Sequence, residues 1–159
     1  MLQRIQTVLL ALMVIFTFVL FFVPTFTLKN DLITVTLGAF GTTVMAAGKP
    51  LSTSGGFMIA VIAGLGILIT SYSIFSFKKR PLQLKLSLLN TLIYLSLLAV
   101  MVYYQSALVE KYSSATGGIE AKYGFGFFVP AICLLLNMIA ARFIRKDEKM
   151  VKDAFERLR

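Results

Sequence analysis

The sequence predicts an all-α membrane protein: an antiparallel bundle of four transmembrane helices, with a small β-hairpin-like outer loop and an amphipathic cytoplasmic C-terminal helix. Three observations predict it. Hydrophobic residues make up 58% of the 159 positions and charged residues only 14%, more apolar surface than a soluble domain of this size can bury. Four blocks, 5–23, 57–77, 86–104 and 125–141, hold no Asp, Glu, Lys or Arg. Basic residues gather in alternate connections, as expected when the chain crosses a membrane repeatedly.

A hydrocarbon layer about 30 Å thick needs roughly 20 apolar residues in a helix rising about 1.5 Å per residue. Each block is about that long. Lipid offers backbone groups no hydrogen-bond partner, so the spans must be helical. Buried helices of a soluble protein would carry polar faces at helical spacing, and no block reads that way. The expected layout is one integral membrane domain with spans at 5–23, 57–77, 86–104 and 125–144. Outer loops fall at 24–56 and 105–124, a cytoplasmic loop at 78–85 and a cytoplasmic tail at 145–159.

The first block follows Arg4 and ends in FFVPTF with no small-residue cleavage site directly after it, so it reads as a retained anchor, not a cleaved signal. The outer connection 24–56 contains LITVTL and TTVMA around GAFG, a strand-like composition with a turn signal. A small β-hairpin over the outer helix ends is expected there. The inner loop KKRPLQLK is tight, with Pro81 suited to a first helical turn, so spans two and three should form a hairpin. The second outer loop has a Gly-Gly turn and adds either a helical extension or a strand. In the tail, Ile144, Met150, Val151, Ala154, Phe155 and Leu158 form a stripe at helical steps. Glu148 precedes Lys152 by four residues and Asp153 precedes Arg157 by four, the favourable ion-pair spacing.

Twelve of the sixteen Lys and Arg residues fall on the side holding the N-terminus, the inner loop and the tail, and four on the other side. That bias puts both termini in the cytoplasm of a bacterial inner membrane. The net charge of +9 then reflects topology and contact with anionic inner-leaflet lipid. A nucleic-acid footprint would need a basic patch interleaved with aromatics, and none is present.

Candidates for chemistry are few. There is no histidine and one cysteine, Cys133, which removes the familiar triads, disulfides and thiol metal motifs, so no catalytic, cofactor or metal residue is expected. Asp31, Glu110 and Glu120 are loop acids, more consistent with solvated charges than with a carboxylate pair. The blocks contain no ionisable carboxylate or amine of the kind that marks a proton relay. Their polar neutral residues include Thr17, Thr70, Ser71, Asn90, Thr91 and Asn137, suited to hydrogen bonds between helices. Asn137 lies deepest in an apolar run. AVIAGLGIL in the second block spaces small residues for close helix approach.

The two ends, MLQRIQTVLLAL and ARFIRKDEKMVKDAFERLR, resemble an uncharacterised family of short four-span membrane proteins from Bacteroidetes-type bacteria, known as the domain of unknown function number four-two-nine-three. The matching residues are Gln3, Arg4, Ile5, Gln6 and Thr7, then Arg145, Lys146, Asp147, Glu148, Arg157, Leu158 and Arg159; Leu2 stands where the family usually has Ile. The resemblance implies a membrane location and layout and no reaction. It places Arg4 near the start of the tail, where a contact with Asp147 or Glu148 is expected.

These readings converge on a small non-enzymatic accessory or scaffold subunit of a membrane complex. Its partners would be the bilayer and another membrane protein or a second copy. The alternative is a small-molecule or lipid carrier with a polar site around Asn90 and Asn137. A membrane enzyme using the loop acids ranks third.

Overall fold

The computed structural model describes residues 2–30, 32–46, 49–76, 80–113 and 120–157, with side chains at all of these except 2–4, 50–54, 80, 113 and 151–157. Among the described residues the elements run α1 (Leu2–Val19), β1 (Phe26–Lys29), β2 (Ile33–Leu37), β3 (Gly41–Ala46), β4 (Lys49–Gly55), α2 (Phe57–Phe75), α3 (Arg80–Ser113), β5 (Glu120–Tyr123) and α4 (Phe125–Arg157).

The expected all-α class is therefore corrected. The five strands form one antiparallel sheet in the order β4-β3-β2-β1-β5. LITVTL and TTVMA do pair as β2 and β3, with Val35 opposite Val44, but as the middle of that sheet and not as a separate hairpin. The other strands, FTLK, KPLSTSG and EAKY, lack a run of β-branched residues. They are strands because they have neighbours. β1 pairs with β5 from the far outer loop, placing Phe26 opposite Tyr123 and Lys29 opposite Glu120.

Side chains alternate across a strand. Phe26 opposite Leu37 and Leu28 opposite Val35 therefore share one face, and all four are buried. On the other face Lys122, Thr27, Thr36 and Thr43 stand at successive register positions across β5, β1, β2 and β3. Cross-strand threonine pairs each contribute about 0.2–1 kcal/mol.

The four-span expectation is corrected as well. Among the described residues three helices are long and apolar enough to cross a membrane: Phe57–Phe75, Pro81–Tyr112 and Phe125–Met150. The apolar part of α1, Ile5–Val19, is shorter, about 22 Å at the helical rise against a layer of about 30 Å. Residues 20–23 were counted into this span but leave the regular helix. The Phe21 N–H donates to the Phe18 carbonyl and that of Phe22 to Val19, tightening the chain before Pro24 turns it into β1. α1 packs against α2 and α4, and α3 packs against the same two helices.

One narrow stripe of each helix is buried, mostly at three- and four-residue steps. On α3 it is Gln83, Ser87, Asn90, Tyr94, Leu97 and Met101; on α4 it is Val129, Cys133, Asn137, Ala140, Ile144 and Asp147. α1 contributes Gln6, Leu10, Met13 and Thr17, and Leu20 follows directly after the helix. This spacing is the seam of near-parallel helix packing. The blocks that showed no polar face in sequence do have one, and it points inward. Asn90 is 0% exposed while Leu92, two residues on, is 65% exposed. Polar groups inside and leucine outside is the arrangement that suits lipid and not water.

At both ends the helices outrun their apolar blocks. α3 continues to Ser113, and its Tyr104, Leu108 and Tyr112, at four-residue steps, pack on the buried core. The charged tail is helical through Arg157 and continuous with the fourth block. Gly124 joins β5 to α4: its N–H donates to the Thr25 carbonyl, and a Cβ there would overlap the Pro24 carbonyl. Only glycine allows the two outer connections to meet so closely.

Candidate functional site

The helical stripes place most of the buried polar side chains in one seam running from the tail end of the helices to their middle. At the tail end the Gln6 side-chain amide of α1 donates to the Asp147 carboxylate of α4 at 3.5 Å, and both residues are buried. Next, the Gln83 amide donates to the Ser73 carbonyl of α2 at 3.4 Å. Asn137 then joins α4 to α3. Its Nδ2 donates to the Ser87 carbonyl at 2.8 Å and to the Thr91 hydroxyl at 2.9 Å, while its Oδ1 accepts from the Ser87 hydroxyl at 3.0 Å.

One turn further, Asn90 Nδ2 donates to the Thr70 hydroxyl at 3.1 Å, which in turn donates to the Gly66 carbonyl at 2.7 Å. The seam ends at Tyr94, whose hydroxyl lies 2.8 Å from that of Thr17 on α1 and also faces Thr70. Thr17 donates back to the Met13 carbonyl at 2.7 Å and lies 3.6 Å from the Cys133 sulfur. Beyond Tyr94 the stripe continues as Leu97 and Met101 and is apolar. Two buried polar atoms of the seam, Asn90 Oδ1 and Ser73 Oγ, have no hydrogen-bond partner among the described residues.

Chemically the arrangement joins helices and leaves Asn137 little capacity for anything else. Both its amide groups are satisfied within the protein, so half of the polar centre expected for a carrier is taken up by helix contacts. Asn90 keeps one spare acceptor. Among the described residues no group of three or more Cys, Asp or Glu side chains is arranged to hold a metal ion. Of the loop acids, Asp31 lies outside the described residues, and Glu120 sits 3.2 Å from Lys122 in an exposed pair.

The terminal residues divide between core and surface. Gln6 and Asp147 are buried together. Arg145 and Lys146 are exposed and Glu148 is half-buried. The side chains of Gln3, Arg4 and Arg157 lie outside the described residues, and with them the expected Arg4 contact. Among the described side chains, Gln6, two residues further on, links the start of α1 to the tail through Asp147. Sequence reading passed over Gln83, Ser87 and Tyr94. Their signal was available in the steps 83, 87, 90, 94, a polar run at the seam spacing that starts in the KKRPLQLK loop and enters the apolar block.

A second feature lies where α1 gives way to the sheet. An open hollow of about 240 Å³ is lined by 21–24 and by the β2–β3 turn, 38–41, with Thr43. Gly41, at φ 154°, closes that turn in a conformation that favours glycine. The Ala39 carbonyl accepts from the Ala60 N–H at 3.1 Å, tying the turn to the first turn of α2.

A family model for the domain of unknown function DUF4293 matches residues 2–158. The chain belongs to the DUF4293 family. The match covers nearly its whole length and so takes in helices, sheet and tail as one unit. A search of curated proteins finds no match to the chain.

Proposed function

We propose that this DUF4293 protein is a non-enzymatic scaffold or accessory subunit of a bacterial inner-membrane complex, working through surfaces at its two ends. The observation that carries the reading is the seam. Asn137, the best-placed intramembrane polar group, is bonded to Ser87 and Thr91 of the neighbouring helix. Such bonds contribute roughly 0.6–2 kcal/mol each and fix helix register. Polar surface able to meet a partner lies at the ends. At one end Lys85, Arg142, Arg145, Lys146 and Lys149 are exposed on α3 and α4. At the other, Lys29 and Met45 are exposed on the threonine face of the sheet.

The reading places the basic end in the cytoplasm, against anionic lipid worth about 1 kcal/mol per basic residue near the surface. Contact between Gln6 and Asp147 supports the same side for both chain ends. Sheet edges are poor docking sites: β4 carries Lys49 and Pro50, and β5 is four residues long with Glu120 and Lys122. A partner on the outer side therefore meets the face of the sheet.

Photoreactive residues at Lys29 and Met45 on the sheet, and at Lys149 on the tail, test this in native membranes. The expected result is one membrane protein crosslinked in near-stoichiometric yield from at least one of the two ends. If neither end yields such a partner, the scaffold reading is wrong.

A further inference from the structure

The sheet is not held above the membrane only by its connections; the geometry points to the β2–β3 turn as a lipid anchor, with Phe40 seated among the acyl chains of the sheet-side leaflet and the adjoining hollow taking an acyl chain. The inference rests on the membrane reading above and names the occupant of a surface that reading leaves open.

Depth is the first argument. The Ala39 carbonyl is hydrogen-bonded to the N–H of Ala60, three residues inside the candidate span that begins at Phe57. A helix N–H points back toward the helix N-terminus, so the Ala39 carbonyl takes the place of an i−4 carbonyl and the turn lies level with the start of the span, at the edge of the apolar layer and not above it. Chemistry is the second. Phe40 is 61% exposed, and its ring stacks 5.5 Å from that of Phe21. Phe21 continues to Phe18 at 6.4 Å, and Phe18 to Phe22 at 5.4 Å, with Phe18 and Phe22 also exposed. The hollow opens among these rings.

Continuity is the third. Ile15, Phe18 and Phe22 are exposed at three- and four-residue steps along one side of α1 and just past its end, and Met58 and Val61 are exposed at the start of α2, to whose first turn the β2–β3 turn is bonded. The turn therefore extends the surface that the candidate spans present to lipid. Because α1 gives up its regular helix at Val19, that flank is short of a helical turn, and the aromatic turn with its hollow lies where the helix is missing. Phenylalanine without a polar tip gains nothing from water here, and lipid is the apolar medium the flank already meets.

The sequence contains no tryptophan, so single substitutions give clean reporters. Phe40→Trp and, separately, Phe22→Trp are reconstituted into phosphatidylcholine vesicles whose acyl chains carry bromine, in one preparation near their headgroup ends and in another near their middle. Leu32→Trp, at the far tip of the β1–β2 turn, serves as the water reference, and Leu92→Trp on α3 as the lipid reference. The expected result is a blue shift of both phenylalanine-site reporters relative to Leu32→Trp, with loss of most of their emission in brominated vesicles. Quenching of Phe40→Trp by aqueous iodide, with Leu92→Trp still quenched by bromine, overturns the anchor and leaves the membrane reading intact. A blue-shifted Phe40→Trp that bromine does not quench means protein covers the turn, such as a second copy, and also overturns it. If Leu92→Trp itself escapes bromine, the membrane reading fails and the anchor with it. Phe22→Trp supplies the same readings if Phe40→Trp does not fold.

Discussion

The two halves of α3 are buried to the same depth by opposite means. Toward the sheet its stripe is Leu97 and Met101, part of an apolar core that runs without a break into Phe26, Leu28, Val35 and Leu37 of the sheet. Toward the tail its stripe is Gln83, Ser87, Asn90 and Tyr94, each with a polar contact to a neighbouring helix. The apolar half excludes water and carries the sheet on the helices. The polar half sits where apolar packing alone would not distinguish one helix rotation from another. In lipid, leucine gains little by facing a second helix instead of an acyl chain, so directional bonds must choose the inward face.

Substitutions that separate these halves should rank by mechanism. The largest effect is expected from Leu97→Ala in the apolar half. Truncating a fully buried leucine leaves a cavity and should cost about 2–5 kcal/mol, read as a lowered unfolding midpoint in detergent. Gly124→Ala should follow at about 1–3 kcal/mol, because its Cβ meets the Pro24 carbonyl and backbone must move; loss of protection from hydrogen exchange in β1 and β5 would locate the damage. Asn137→Leu in the polar half should cost about 1–2 kcal/mol by the same unfolding assay, since α4 loses its bonds to α3 without leaving a large cavity. Tyr94→Phe, at the boundary, should cost about 0.5–1.5 kcal/mol, the worth of one hydroxyl bond to Thr17. Gln6→Leu should be smallest, at about 0.5 kcal/mol, because its 3.5 Å contact to Asp147 is long. If Asn137→Leu proves costlier than Leu97→Ala, the polar half is the main support of the fold and the comparison is reversed.

Sequence reading caught different parts of this unequally. Thr17, Thr70, Asn90 and Asn137 were recognised as helix contacts because isolated polar residues in apolar runs stand out. Gln83 and Ser87 did not, since they lie at the block edge beside KKRP and look like part of a polar loop. Tyr94 reads as one more aromatic, and only its partner at 2.8 Å gives its hydroxyl a role. The threonines of β2 and β3 announce strands, whereas β1, β4 and β5 carry no such signal; β4 is a strand through its neighbour β3, and β5 through β1, far along the chain. The aromatic turn reads in sequence as a hairpin loop, with no hint that it is bonded to the first turn of α2.

By itself the sequence determined that this chain belongs with membranes, where its charges concentrate and that its tail is helical. Those follow from composition and from local periodicity, which need no tertiary contact. Only the tertiary structure decided which stripe of each helix faces inward, that the two outer loops share one sheet, and that the first apolar block stops short. The reason is physical. Where lipid accepts any apolar face, helix orientation is set by the neighbouring helix. Likewise a short strand such as EAKY exists only because β1 offers it hydrogen bonds.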